Sequence, residues 1–209
     1  MKYKLVAFWL VVFGALFAFL QTRFEYHFYY IEQSQLFLFS EAYIRNKLVL
    51  PGGFSMLVAE FFVQFFIRPY VGALVTAALL TGVGICTAGI VKRIASASGL
   101  FILYVQPMLA LLFMHFDFNY RVQGTVCYLM MTALLCGYIR IRNDLFRLVA
   151  GCVLVPVLFW LAGSIAVLFA GMICLFEGLR KTPKWYISLI GVAEVLLLGV
   201  GTVYFSLMG

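Results

Sequence analysis

Residues 70–91 read YVGALVTAALLTGVGICTAGIV, a run without a single charged side chain. A segment that crosses the hydrocarbon core of a membrane needs about 20 predominantly apolar residues. Because lipid offers the backbone N–H and C=O groups no hydrogen-bond partners, such a run must be helical. Small side chains at Ala73, Ala77 and Thr81 recur on one face of that helix. The run therefore predicts a transmembrane helix that packs closely against a neighbouring helix.

The composition extends this interpretation to the whole chain. Of its 209 residues, 65% are hydrophobic and 11% are charged, and the mean hydropathy is +1.07. Soluble domains are about 45–50% apolar and about 25% charged, so a soluble core could not hide this much apolar surface. The net charge of +7 comes from short basic clusters between apolar runs, which is typical of membrane orientation signals. We therefore expect membrane lipid, and no nucleic acid, as a partner.

Apolar runs recur along the chain and define the predicted architecture. They cover residues 5–22, 70–91, 100–114, 122–139, 146–161, 163–176 and 186–207. The fifth and sixth runs are short, and Pro156 lies in the fifth, which favours a hairpin that turns at 162–164 over one long tilted helix. We predict an all-α fold, a polytopic transmembrane helical bundle of about seven spans in a single domain, 1–209. Six spans is the alternative.

The distribution of Lys and Arg predicts the orientation. With the N-terminus in the cytoplasm, the inner segments hold Lys2, Lys4, Lys92, Arg93, Arg140, Arg142, Arg147, Arg180, Lys181 and Lys184, and the outer segments hold Arg23, Arg45, Lys47, Arg68 and Arg121. Most of the 15 basic residues then lie inside, as the positive-inside rule requires. The first run lacks a small-x-small cleavage site and is interpreted as an uncleaved signal anchor. These features favour the inner membrane of a bacterium.

The segment 22–69 is too long for a turn and too apolar for a free loop. Ser40 can cap a helix that starts near Glu41, and the Pro-Gly-Gly sequence at 51–53 can end it. A second helix is predicted over 54–68. Its polar residues lie four positions apart and share one face: Glu60, Gln64 and Arg68. The pattern fits a helix that lies in the outer membrane interface, or one packed against other spans.

Ionisable residues gather at the predicted outer ends of two spans, in segments 23–32 and 115–121. The candidate catalytic residues are Glu25, Glu32, His115 and Asp117, and the candidate phosphate ligands are Arg23 and Arg121. Carboxylates in such a place can act as a base or hold a divalent metal, and arginine can hold phosphate. The alternative is an aromatic belt with ordinary polar loop ends. We predict that Glu25, His27 and Glu32 approach His115, Asp117 and Arg121 in space.

Glu194 lies near the middle of the last predicted span. A carboxylate at that depth is costly and usually faces protein or water. It is interpreted either as a relay or cation ligand, or as a protonated side chain bonded to a neighbouring helix.

Several short runs carry a family resemblance. They are YHFYYIEQ at 26–33, QLFL at 35–38, PGG at 51–53, AEF at 59–61 and QFF at 64–66. Together they resemble an uncharacterised family of multi-spanning membrane proteins from Bacteroidetes, whose activity is unknown. Members of that family are much longer, so the resemblance implies that the chain corresponds to an N-terminal membrane portion or to a short relative.

A looser resemblance is architectural. One span, a long outer loop with interfacial helices and then a series of spans are similar to the membrane module of GT-C glycosyltransferases. That resemblance implies a polyprenyl-phosphate sugar donor, a divalent metal, and an acidic residue in the first outer loop, a position matched by Glu25 or Glu32. Those enzymes typically carry Asp or an Asp-Glu pair there, and this chain has neither.

Three functions follow from these features. A non-catalytic membrane subunit or anchor for a partner protein ranks first, because a short chain without a soluble domain fits that role. A GT-C-like transferase ranks second. A transporter with Glu194 in its path ranks third, because the other predicted spans are nearly free of ionisable groups.

Overall fold

The computed structural model describes residues 2–94 and 101–179, and throughout these ranges the regular structure is helical. The helices are α1 (Lys2–Arg23), α2 (Glu25–Ser34), α3 (Glu41–Val49), α4 (Gly53–Val63), α5 (Val71–Ile94), α6 (Phe101–Met114), α7 (Val122–Tyr138), α8 (Asp144–Ala162) and α9 (Ile165–Leu179). The all-α prediction is therefore confirmed for this part of the chain. The predicted last span, with Glu194, and the basic residues Arg180, Lys181 and Lys184 lie outside the described residues.

Helix α5 is the centre of the bundle and contacts α1, α6 and α7. The small residues that predicted its close packing, Ala73, Ala77 and Thr81, are all buried. At Gly84 the ring of Trp9 from α1 lies so close that an added Cβ atom would be 2.7 Å from it. Small side chains on α5 thus let neighbouring helices approach its backbone.

Three described helices are long and apolar enough to cross a membrane: Tyr3–Arg23, Val71–Ile94 and Asp144–Ala162. Shorter apolar helices cover Gly53–Val63, Ile102–Met114, Val122–Tyr138 and Ile165–Gly178. At 1.5 Å per residue, the 17 residues of α7 span about 25 Å, slightly less than a hydrocarbon core of about 30 Å. The structure thus supports a membrane protein, and seven spans stays a prediction.

The hairpin predicted at 162–164 is confirmed. Helix α8 ends at Ala162, α9 begins at Ile165, and the two helices pack against each other. Gly163 between them has φ +72°, a left-handed conformation that glycine adopts without the strain a side chain would bring. Pro156 lies inside α8 and does not end it.

The segment between α1 and α5 begins with helix α2, which was not predicted, and continues with α3, which was. Ser40 caps α3, because its side-chain oxygen accepts a hydrogen bond from the backbone N–H of Tyr43. Helix α3 ends at Val49, just before the Pro-Gly-Gly sequence, and Gly52 has φ +80°.

The predicted helix over 54–68 is corrected by the structure. Helix α4 ends at Val63, and turns follow as far as Tyr70, so Arg68 does not continue the helical face of Glu60. The chain has to reverse here before α5 starts at Val71, and Tyr70 takes a positive φ of 71°. Helix α4 packs against α3, α7 and α8 and buries much of its surface. Helix α4 thus packs against other helices, and its position in the outer membrane interface stays a prediction.

The ends of the helices and the segments that connect them gather at two ends of the bundle. The loop end comprises 23–69, 115–121 and 163–164, where the Gly52 N–H donates to the Trp160 carbonyl at 2.9 Å. The basic end comprises 92–94, 139–144 and 176–177, where Arg147 donates to the Ile141 carbonyl at 3.3 Å. Successive helices from α5 to α9 therefore run up and down between these ends. The grouping matches the predicted outer and inner segments, and the side of the membrane that each end faces stays a prediction.

Candidate functional site

The two polar segments that we predicted to approach each other do so at the loop end. The rings of Phe24 and Phe116 are stacked, with centroids 5.1 Å apart. The His27 ring meets that of Phe118 at 4.8 Å in an edge-on arrangement. Helices α2 and α6 both pack against α5, so the start of α2 and the turn after α6 come together. Aromatic rings make this contact.

His27 is buried among aromatic rings. Its side chain contacts Phe24, Phe28 and Phe118, and its Nε2 atom has no hydrogen-bond partner in the described part of the chain. Burial lowers the pKa of His27, and the negative charge of Asp117 acts in the opposite direction. Burial favours the neutral ring because a charged imidazolium would lose its hydration.

His115 is held in a small polar network. Its side chain is only 2% exposed, and Nε2 lies 2.9 Å from the Thr125 hydroxyl. The Tyr120 hydroxyl lies 3.2 Å from the same oxygen, and its ring packs edge-on against the imidazole. Burial lowers the pKa of His115 to about 4, and His27 acts in the same direction. This network joins the end of α6 to the start of α7.

Of the candidate carboxylates and arginines, Asp117 lies near enough to His27 to influence its pKa, and within the described residues no hydrogen bond or ion pair joins the others to either histidine. Glu25 and Asp117 are exposed, Glu32 is half-buried, and Arg23 and Arg121 are exposed. Asp117 accepts a hydrogen bond from the backbone N–H of Asn119 at 2.9 Å, which shapes its own turn. Within residues 2–94 and 101–179, no group of three or more His, Cys, Asp or Glu side chains is arranged to hold a metal ion.

A cavity of about 470 Å³ opens at the loop end between α7 and the α8–α9 turn. Its lining includes Tyr120, Arg121, Gln123 and Ser164 on a polar side, and Leu168 on an apolar side. The amide nitrogen of Gln123 donates to the Ser55 hydroxyl at 3.3 Å and so ties α7 to α4. Of the six candidate residues at this end, Arg121 is the one that lines this cavity.

One polar cluster at the loop end was missed by the sequence analysis. Glu60 of α4 is only 6% exposed, and its carboxylate accepts hydrogen bonds from Lys47 at 2.9 Å and from the Tyr43 hydroxyl. Burial, reinforced by the Glu60 charge, raises the pKa of Tyr43 to about 12. The polar face of α4 was evident from the sequence, but its partners lie on α3, across the Pro-Gly-Gly turn.

A second missed cluster lies at the basic end. Arg147 of α8 is 2% exposed and donates to both carboxylate oxygens of Glu177 on α9, from Nε at 2.6 Å and from Nη2 at 3.2 Å. It also donates to Asp144 at 2.8 Å, and the Tyr138 hydroxyl donates to Glu177 at 3.1 Å. In the sequence, Arg147 indicates only orientation. The sign in the sequence that Arg147 has a partner was Glu177, an acidic residue at the end of an apolar run.

The architecture defines a class, an all-helical protein with apolar helices long enough to span a membrane. The chain belongs to a family of unknown function (DUF6057), whose model matches residues 1–209. Searches of curated proteins and of solved structures find no match. The resemblance to a family without a known activity is therefore confirmed at that level.

Proposed function

We propose that this chain is a multi-pass protein of the bacterial inner membrane, with a cytoplasmic N-terminus, that acts as a non-catalytic subunit or anchor for a partner membrane protein. The observation that supports this role most strongly is how the buried polar groups of the described residues are used. The charged ones among them, Glu60, Arg147 and Glu177, bond helices to one another, and His115 does the same.

The contacts at both ends follow this pattern. At the loop end, Glu60 joins α4 to α3, and His115 joins the end of α6 to α7. At the basic end, Arg147 joins α8 to α9. A charge taken out of water is costly unless it is paired and hydrogen-bonded, and Glu60 and Arg147 both have such partners. Such bonds stabilise a fixed arrangement of helices, which suits a scaffold.

The exposed helix faces are apolar, as lipid or a partner helix would require. Helix α8 shows one such face at Val149, Val153, Val157 and Trp160. These residues are three or four positions apart, so they lie on one side of the helix. That face is available to lipid or to a helix of the partner protein.

Complementation of a deletion strain separates a subunit from an enzyme. We expect Glu32→Gln and Asp117→Asn to complement like the wild type, because neither carboxylate has a partner in the bundle core. Glu60→Ala should lower the amount of protein in the membrane, because it removes a buried ion pair. After mild solubilisation, the wild type should migrate in native gels as a complex with a second protein in fixed stoichiometry.

Two results would contradict this proposal. One is a Glu32→Gln or Asp117→Asn protein that reaches the membrane at the normal level yet fails to complement. The other is a wild-type protein that migrates alone under every mild detergent condition.

A transferase that uses a polyprenyl-phosphate sugar donor is the second candidate, and the position of Arg121 favours it. This guanidinium lines the 470 Å³ cavity beside Tyr120 and Ser164, where it could contact a phosphate. Arg121→Gln should then abolish transfer of a radiolabelled sugar from the lipid donor in membranes, whereas Arg45→Gln, an exposed arginine away from this cavity, should not. Equal transfer by both variants would remove this candidate.

A further inference from the structure

Three arginines from two distant parts of the sequence line one cavity at the basic end. The cavity has a volume of about 500 Å³ and is lined by Arg93 at the end of α5, by Arg140 and Arg142 after α7, and by apolar side chains that include Ile139, Ile141 and Phe176. In the sequence these arginines only indicate orientation. The fold turns them into one positively charged recess with an apolar wall.

The charge of this cavity is not neutralised by the acidic residues nearby. Among the described residues, its lining contains no Asp or Glu. The two acids at this end of the described bundle, Asp144 and Glu177, are both bonded to Arg147. Within the described ranges, Arg93, Arg140 and Arg142 form no salt bridge with any carboxylate. The recess therefore offers guanidinium groups to an anion.

The buried ion pair holds the walls of this cavity in place. Arg147 donates from Nη1 to the carbonyl oxygen of Ile141 at 3.3 Å, and its guanidinium lies 6.0 Å from the centre of the Phe176 ring. The Phe176 ring also meets that of Tyr138 at 6.4 Å. One buried side chain thus positions a backbone wall and an aromatic wall. A site whose walls are already ordered loses less entropy on binding.

We propose that this cavity binds the phosphate group of an anionic lipid, with the arginines on the phosphate oxygens and Ile141 and Phe176 against the adjoining hydrocarbon. The planar guanidinium matches phosphate with two parallel hydrogen bonds. Basic pockets between transmembrane helices are known to hold lipid head groups. The proposal uses the membrane location of the chain and does not depend on its role as a subunit.

Lipid binding to the purified full chain in a neutral detergent tests this proposal. A fluorescent phosphatidylglycerol serves as the probe, and phosphatidylcholine and inorganic phosphate serve as competitors. An arginine near a membrane surface contributes roughly 1 kcal/mol to binding an anionic lipid, or about a fivefold change in affinity. We expect Arg140→Gln and Arg142→Gln each to weaken binding by about fivefold, and the double variant by more.

The controls distinguish lipid binding at this cavity from a general effect of positive charge. The double variant Arg45→Gln with Arg68→Gln removes the same charge at exposed positions of the loop end and should bind like the wild type. Arg140→Lys with Arg142→Lys keeps the charge without the guanidinium geometry and should bind with intermediate affinity. Thermal melting of every variant in detergent establishes that it is folded.

The competitors identify the source of the phosphate. Displacement of the probe by millimolar inorganic phosphate would support a site for free phosphate, whereas displacement by unlabelled phosphatidylglycerol alone would support a lipid site. A folded Arg140→Gln, Arg142→Gln protein that binds the probe as tightly as the wild type would overturn the proposal. An equal loss in the loop-end control would overturn it as well. Neither result bears on the complementation test of the subunit role.

Discussion

Arg147 and Glu177 form a doubly hydrogen-bonded ion pair between α8 and α9, with Arg147 Nε 2.6 Å from Glu177 Oε1. Removing two charges from water is unfavourable, so such a pair does not by itself make a fold more stable than a well-packed apolar pair would. It does fix how α8 and α9 are rotated relative to each other, because the bonds form in one geometry only. The same pair supports the walls of the arginine-lined cavity.

Breaking this pair should destabilise the bundle strongly. Glu177→Leu leaves the Arg147 guanidinium buried with Asp144 as its remaining carboxylate partner. We expect a loss of roughly 3–5 kcal/mol in the free energy of unfolding, seen as a lower melting temperature in detergent. Arg147→Met in the same chain should restore most of the loss. Arg142→Gln at an exposed position should change stability by less than about 1 kcal/mol. A Glu177→Leu protein as stable as the wild type would contradict the pairing.

The depressed pKa of His115 should make the protein less stable in acid. The folded-state pKa is about 4, and that of an unperturbed histidine is 6.5. Between these two values the unfolded chain binds a proton that the folded chain does not. The contribution of His115 to the free energy of unfolding is therefore complete above about pH 6.5. It is lost as the pH falls towards 4, at up to about 1.4 kcal/mol per pH unit.

Melting temperatures measured from pH 7 to pH 4 test this dependence. His115→Gln can keep a hydrogen bond to Thr125 but has no group that titrates, so its curve should be flatter than that of the wild type. His27 also has a lowered pKa and is present in both proteins, so the difference between the two curves isolates the effect of His115. Parallel curves for the two proteins would show that His115 is not buried as described.

Gly53 should tolerate no side chain. A Cβ atom at this position would overlap the carbonyl oxygen of Lys47, which belongs to α3. We expect Gly53→Ala to lower the melting temperature clearly, because the α3–α4 turn would have to open. Gly137→Ala is the matched control, since an added Cβ atom there meets nothing within 4 Å in the described structure beyond its own stretch of helix. The control should be neutral or gain up to about 1 kcal/mol from better helix propensity. Similar effects of the two changes would refute this close approach.

Cysteine labelling should place the two ends of the bundle on opposite sides of the membrane. Asn119 at the loop end and Arg142 at the basic end are both exposed, and in a background without the native cysteines each can be replaced by Cys. A membrane-impermeant maleimide added to intact spheroplasts should label Asn119→Cys only, and disruption should expose Arg142→Cys. Asn143 is less suitable because its side chain caps α8. Labelling of both positions in intact spheroplasts would contradict the topology.

Much of the fold was determined by local features of the sequence. Apolar runs without charge predicted helices, because a backbone in lipid must bond to itself. Three features acted locally and as their residue types predict. Ser40 caps α3, Gly163 forms the turn between α8 and α9, and the small residues of α5 pack against neighbouring helices. The approach of 23–32 to 115–121 also followed from the alternation of spans. The extent of α4 did not, since the need to reverse before α5 ends the helix at Val63.

Only the tertiary structure decided which polar side chains meet. Lys47 and Glu60 lie on different helices, as do Arg147 and Glu177, and Arg93 is far along the chain from Arg140. Whether two such residues touch depends on how each helix is rotated about its axis and where it crosses its neighbour. Those angles are set by the packing of many apolar side chains at once. Composition and spacing carry almost no record of them, so the sequence marked the ends of the bundle as polar but could not show which charges face each other there.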